Sequence, residues 1–326
     1  MRPLTRTDRK PLALVLGASR GLGLRVAAEL LERDHRVVLS ARHQDTLEEA
    51  ARQLVAEGAD AADVHTQPID ATDADAVMRG IAAIESAHGP IDVAIHVAGI
   101  IEVGPAESTQ LDHLRRALDV MAWGPIHLAD ALIPRMRERG RGRFGVVTSI
   151  GGLLSPPHLL AYSTAKFAAV GFTEGLAASL AGSGVTATVI VPGLMRTGSH
   201  RAARFYGDRR AEYSWFAPAA SLPLLTASAE HAARRMVSGV LAGRPYVMIT
   251  PAAEIGARVH GLAPGLTTRM MGVVGRVLPG PVPGEHEPRP GEEIAPTAPR
   301  LVRVLTTLGE RAARRNREPG LVSRRS

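Results

Sequence analysis

Tyr162 and Lys166 stand four residues apart in the stretch Ala161-Tyr-Ser-Thr-Ala-Lys-Phe167. On a helix that spacing stacks the two side chains on one face. A phenol alone titrates near ~10 and exchanges protons poorly at neutral pH. A neighbouring ammonium favours the phenolate and is expected to bring it toward the working range. Ser149 lies 13 residues before Tyr162, at the end of the apolar run Phe144-Gly-Val-Val-Thr-Ser149, which reads as a strand. Its hydroxyl can hold a carbonyl or alcohol oxygen. The chain carries 37 arginines and only two lysines, Lys10 and Lys166. One of the two thus falls where a compact ammonium differs most from a guanidinium.

Such a group needs a partner substrate and a frame, and the N-terminal part supplies the frame. Leu12–Leu16 is a short apolar run, followed by the turn Gly17-Ala-Ser19-Arg20-Gly21-Leu22-Gly23 and then a run of helical periodicity. A buried strand, a glycine turn and a helix form the first half of a dinucleotide site. The glycines let the backbone approach a pyrophosphate, and the helix N-terminus favours its charge. The second strand, Arg36–Arg42, ends without an acidic residue. Ala41 and Arg42 stand where a carboxylate would bind the ribose hydroxyls of NAD, and Arg20 lies in the turn. Two guanidiniums suit a 2′-phosphate, so NADP(H) is expected over NAD(H).

Further along, Asp63–Asp70 reads as a third strand with Asp70 at its end and Ala71 after it, placed to reach an adenine. Ile91–Gly99 reads as a fourth, ending in Ala98-Gly99. Leu111–Arg139 is a long helical region expected to be the main subunit contact, or to neighbour it, in a homodimer or homotetramer. Val185–Val191 is the sixth strand, followed by Pro192, Gly193 and Thr197 at the end of the sheet where ligands bind. Residues 198–226 hold Phe205, Tyr206, Tyr213, Trp215 and Phe216, five of the chain's 11 aromatics, and read as a lid over the substrate. A helix over Ser228–Ala242 and a strand over Tyr246–Thr250 close the series. Strands alternating with amphipathic helices predict an α/β fold, a Rossmann-type doubly wound sheet of seven parallel strands. The main domain is expected over residues 1–250. Residues 251–326 read as a helical C-terminal extension, with helices at Leu266–Leu278 and Leu301–Arg317, a linker at 279–299 containing seven prolines, and a basic, disordered end.

Composition narrows the classes. At 45% hydrophobic and 22% charged, the 326-residue chain is ordinary for a soluble enzyme. Residues 250–326 hold 12 Arg against 7 Glu, most of the net charge of +7. The nearly neutral body argues against a nucleic-acid partner, while the basic, apolar extension leaves peripheral membrane contact as an alternative. The absence of cysteine excludes disulfides and thiolate chemistry, and no metal site is expected. Without a signal peptide or a run of ~18 apolar residues, the expected location is the cytoplasm.

Together these residues resemble the short-chain dehydrogenase/reductase family over roughly residues 10–250. Gly17, Gly21 and Gly23 match its cofactor turn, Asp70 its adenine-contacting aspartate, and Ala98-Gly99 its central Asn-Asn-Ala-Gly. Ser149, Tyr162 and Lys166 match its catalytic serine, tyrosine and lysine, and Pro192-Gly193 with Thr197 its Pro-Gly-x-x-x-Thr segment. The resemblance implies hydride transfer between NADP(H) and a ketone or secondary alcohol, with Tyr162 as proton donor and with Tyr162 and Lys166 also touching the cofactor. Leu16, His96, Val97 and Met121 depart from the pattern. Met121 stands where the family often has a helix asparagine that connects the lysine to solvent through water. These departures keep open a non-catalytic, NADP-binding regulatory protein.

Overall fold

The computed structural model describes residues 9–221 and 226–318. Seven strands form one sheet: β1 (Leu12–Leu16), β2 (Arg36–Ala41), β3 (Val64–Pro68), β4 (Ile91–His96), β5 (Gly142–Val147), β6 (Val185–Val191) and β7 (Tyr246–Met248). Their order is β3-β2-β1-β4-β5-β6-β7, and every ladder is parallel. The helices of the body are α1 (Gly21–Glu32), α2 (Gln44–Ala56), α3 (Ala74–His88), α4 (Leu111–Leu118), α5 (Gly124–Glu138), α6 (Leu160–Ser179), α7 (Arg209–Ala219) and α8 (Ala229–Leu241).

All five residues of β1 are buried, because helices cover both faces of the sheet. Successive strand side chains alternate between the faces. Ala13 and Val15 pack with Leu24, Leu47 and Val237, from α1, α2 and α8. Leu12, Leu14 and Leu16 pack with Ile81, Leu132 and Ala169, from α3, α5 and α6. Burying one such aliphatic side chain is worth about 1.5–3 kcal/mol. The strand order reverses direction between β1 and β4, and the crevice at that switch point is where an α/β sheet binds its ligand.

The long helix expected over Leu111–Arg139 is divided. A π-helical turn, Asp119–Trp123, separates α4 from α5. Pro125 follows it and has no N–H for the α-helical ladder, so the hydrogen-bonding pattern shifts there.

The extension forms α9 (Pro251–Leu262), α10 (Pro264–Gly275), α11 (Gly291–Ile294), α12 (Arg300–Leu305) and α13 (Thr307–Arg315). The proline run expected as a linker is instead fastened to the body. Arg289–Pro290 pairs antiparallel with Arg204–Phe205, and Arg209 meets Glu285 at 2.5 Å. Beyond it, Ile294, Ala298 and Val302 share a small second core with Phe205, Tyr213 and Phe216. The aromatic segment expected as a lid is therefore anchored largely by burial of its own rings, Tyr206 included. The terminal stretch Gly320–Ser326, expected to be disordered, lies outside the described residues, as do residues 222–225 of the aromatic segment. No helix among the described residues is long and apolar enough to cross a membrane.

Candidate active site

The carboxyl ends of β5 and β6 and the first turns of α6 converge on one point. Tyr162 and Lys166 share a face of α6, with Lys166 Nζ 5.7 Å from the centre of the Tyr162 ring. Ser149 follows β5 and caps a single 3-10 turn, its Oγ accepting from Gly151 N at 3.0 Å. Lys166 is 4% exposed, and Nζ donates to Val147 O at 2.8 Å. Burial pulls its pKa down to about 7. The Tyr162 phenol is pushed up by burial, while the Ser149 hydroxyl beside it pulls the other way. The lowering expected from the lysine is thus absent in this state. Burial makes the ammonium itself easier to neutralise, so Lys166 favours the phenolate only in the fraction of molecules where it keeps its proton.

The departures from the family pattern surround this group. Met121 lies in the π turn, 1% exposed. A Cβ on Gly99 would stand 3.4 Å from Met121 Sδ and 3.8 Å from Lys166 Nζ, so the thioether and the ammonium flank the same spot. Met121 offers at most a weak acceptor there. His96 is 1% exposed, and its Nε2 has no hydrogen-bond partner among the described residues. Burial, then the Lys166 charge, hold its pKa down at about 3, so at neutral pH it is an uncharged ring. Its surroundings are those of a core side chain.

The other end of the crevice is the glycine turn. Gly17 and Ala18 both donate to Ser40 O, at 2.7 and 3.0 Å. Gly17 has φ +97°, and a Cβ there would come within 2.5 Å of Ala98 N. The turn and Ala98-Gly99 are therefore fitted together, backbone to backbone. Leu22 and Gly23 are buried at the start of α1, whose first turn has no acidic residue of its own. That turn suits a phosphate. Ser19 is half-buried and Arg20 and Arg42 are exposed; Arg42 makes no ion pair among the described residues. Asp70 Oδ1 accepts from Thr72 N at 3.0 Å and Thr72 Oγ1 at 2.8 Å, a local turn above buried Ala71. Pro192 O accepts from Ile150 N at 2.9 Å, tying the Pro192-Gly193 segment to the 3-10 turn after Ser149. Thr197 is 4% exposed.

Two groups in this crevice escape sequence reasoning. The end of the chain crosses the glycine turn: Gly21 N donates to Asn316 O at 2.7 Å, and Asn316 Nδ2 donates to Thr197 O at 3.1 Å. An asparagine in an arginine-rich tail matches no motif, and no local signal finds it. The second group stands in the loop before Tyr162. His158 has φ +63°, which is rare for a residue with a side chain. Its Nδ1 lies 2.7 Å from Glu212 Oε1, and Trp215 Nε1 donates to Glu212 Oε2 at 2.7 Å. Glu212 is fully buried. The loop is thus pinned to α7, and Pro157 and Leu154 also meet α10 and α9, at Gly275 and Gly256.

Comparison with known proteins agrees with this architecture. The family model described as short chain dehydrogenase matches residues 11–205. The chain is 34% identical over 193 residues to the dehydrogenase/reductase SDR family member 7B of Rattus norvegicus, covering 58% of this chain and 59% of that protein. It thus spans less than two thirds of the length of that relative. A short-chain dehydrogenase structure from Streptomyces avermitilis superposes with a TM-score of 0.68 at 27% identity, over 83% of this chain and 99% of the other. A short chain dehydrogenase/reductase from Burkholderia phymatum, solved in complex with NAD, gives 0.72 at 23% identity, over 79% and 95%. At that identity the second likeness speaks for the fold alone.

Proposed function

The chain belongs to the short-chain dehydrogenase family, and on that premise we propose that it is an NADP(H)-dependent oxidoreductase interconverting a ketone and a secondary alcohol. The observation that carries the reading is the stacking of Tyr162 and Lys166 on one face of α6, with Ser149 beside the phenol. A bound nicotinamide dinucleotide supplies or accepts the hydride. Tyr162 gives a proton to the carbonyl oxygen in reduction and takes it back in oxidation. Ser149 orients that oxygen. Lys166 holds the nicotinamide ribose and, when protonated, favours the phenolate. Gly17, Ser19, Gly21, Leu22 and Gly23 would hold the pyrophosphate, Asp70 and Ala71 the adenine, and Ala98, Gly99, Pro192, Gly193 and Thr197 the nicotinamide half. The choice of NADP(H) rests on Arg20 and Arg42 together with the missing acidic residue after β2, which favour a 2′-phosphate.

A panel of ketones with NADPH and NADH, followed by loss of cofactor absorbance, tests this. Ketone-dependent oxidation of NADPH is the expected result. Tight NADPH binding with no turnover of any ketone or alcohol would favour the regulatory reading instead. A membrane-surface location has one specific observation in its favour. Ile255, Leu262, Leu266, Met270, Val273 and Val277 on and after α9 and α10 are more than half exposed, amid Arg258, Arg269 and Arg276. Co-sedimentation with anionic vesicles tests that location separately.

A further inference from the structure

The dinucleotide crevice already holds part of this chain. Gly21 N–H, at the N-terminus of α1, donates to Asn316 O at 2.7 Å. Such an N–H, at the head of a helix after a glycine turn, is a donor that a pyrophosphate would use. On the same spot lies the Glu318 carboxylate. A Cβ added to Gly21 would stand 2.7 Å from Glu318 Oε1. Glu318 is 4% exposed, and its Oε2 has no hydrogen-bond partner among the described residues. Arg20, one of the two guanidiniums assigned to the 2′-phosphate, pairs with it at 3.7 Å. Across the crevice Asn316 Nδ2 holds Thr197 O at 3.1 Å.

We propose that residues 313–318 are an internal strap, a pseudo-ligand whose carbonyl and carboxylate take the place of the cofactor's pyrophosphate, so that dinucleotide binding must displace it. This rests on reading the crevice as a nicotinamide-dinucleotide site. The strap is fastened from outside the crevice. Arg317 pairs with Glu49 on α2, Gln53 Nε2 donates to Arg315 O at 3.1 Å, and Arg315 meets Glu230 of α8 at 3.2 Å. Upstream, Glu310 of α13 joins His200 and Arg201, each at 3.0 Å. Burial pushes the Glu318 carboxyl up to about 7, against the pull of Arg20 and Arg201. An anion buried without a hydrogen bond is a costly occupant, and a ligand that brings its own better-matched phosphates can replace it.

When the competent state is only part of the population, the apparent affinity falls by that fraction. The test is done on the full chain, titrating NADPH and NADH separately and reading nicotinamide fluorescence. Arg317→Glu sets two carboxylates face to face at the strap's outer fastening. It should lower the Kd of both dinucleotides by about tenfold, as loosening worth ~1.4 kcal/mol would. Added negative charge alone would weaken anion binding, so tightening cannot be a charge effect. Asn316→Ala, which removes the tie to Thr197, should shift both in the same direction. In the wild-type chain, trypsin should cut slowly after Arg314, Arg315 and Arg317 and faster at saturating NADPH. If NADPH protects these sites instead, or if both variants bind equally well or worse, the segment is part of the holding site and the proposal is wrong. Those results would leave the cofactor reading intact. Failure of every variant to bind either dinucleotide would overturn both.

Discussion

The two ends of the crevice are held by different kinds of contact. At the proposed catalytic end, one turn of α6 places Tyr162 and Lys166, and the end of β5 places Ser149. At the phosphate end, the glycine turn is shaped locally, but what lies against it, Asn316 and Glu318, arrives from the far terminus. A local arrangement survives small rearrangements of the rest of the chain, because a helix fixes residues i and i+4 by itself. A contact between the two termini survives only while many weaker fastenings hold together. The first end, the proposed catalytic group, is therefore held locally, and the second, the proposed strap, is held by contacts distant in sequence.

The sharpest way to break this comparison is Tyr162→Phe, which removes the proton and keeps the ring and its packing. General acid–base groups contribute ~10²–10⁴ in rate. The variant should lose at least that much ketone reduction while NADPH binds within a few-fold of wild type. Turnover above about a tenth of wild type would show that the proton comes from elsewhere.

Next in size is Lys166→Met, read as stability rather than rate. The folded chain lowers the pKa of Lys166 from 10.5 to about 7, so folding disfavours the proton. The cost is full below pH 7 and fades as pH rises toward 10.5, at about 1.4 kcal/mol per unit. Methionine removes that cost but leaves Val147 O without its donor, a loss of ~1–3 kcal/mol. The variant should therefore be inactive and yet more stable at pH 7, by on the order of 2 kcal/mol. Thermal unfolding between pH 7 and 10 checks it. Wild type should gain stability with pH through this group, and the variant should lack that gain. A less stable variant would mean that the ammonium is well solvated in place.

The same contrast explains what could be read from the chain alone. Strands β1, β2, β4 and β6 were legible as short apolar runs buried by helices on both faces, β3 only from its place in the alternation of strands and helices, and the sharing of one helix face by Tyr162 and Lys166 from their spacing of one helical turn. The division of Leu111–Arg139 was not, since a π turn leaves the apolar periodicity almost unchanged and Pro125 is tolerated at a helix start. The proline run looked like a linker because proline cannot donate to a ladder. Yet Arg289–Pro290 pairs at a sheet edge, where one missing N–H is tolerated. Asn316 and Glu318 were invisible because their partners, Thr197 and Gly21, are chosen by topology and not by any local pattern.

The smallest expected effect is the one that separates the phosphate end from its cover. Arg42 is exposed at the end of β2, with no ion pair among the described residues, whereas Arg20 is already engaged by Glu318. Arg42 is therefore the guanidinium most available to a 2′-phosphate, a group that NADPH carries and NADH lacks. Hydrogen bonds to charged groups contribute about 1.5–3 kcal/mol when well formed, and an exposed one falls at the low end. Arg42→Asp should cut the ratio of NADH to NADPH dissociation constants by about tenfold, mostly by weakening NADPH. It should leave the tryptic cutting after Arg314, Arg315 and Arg317 as in wild type, because among the described residues the strap's ion pairs run to Arg20, Glu49 and Glu230 and not to Arg42. Loosening the strap moves both dinucleotides together, and Arg42→Asp moves them apart. Equal dissociation constants for NADPH and NADH in the wild-type chain would remove the NADP(H) assignment. A changed cleavage pattern in Arg42→Asp would mean that the cover and the phosphate site are one unit.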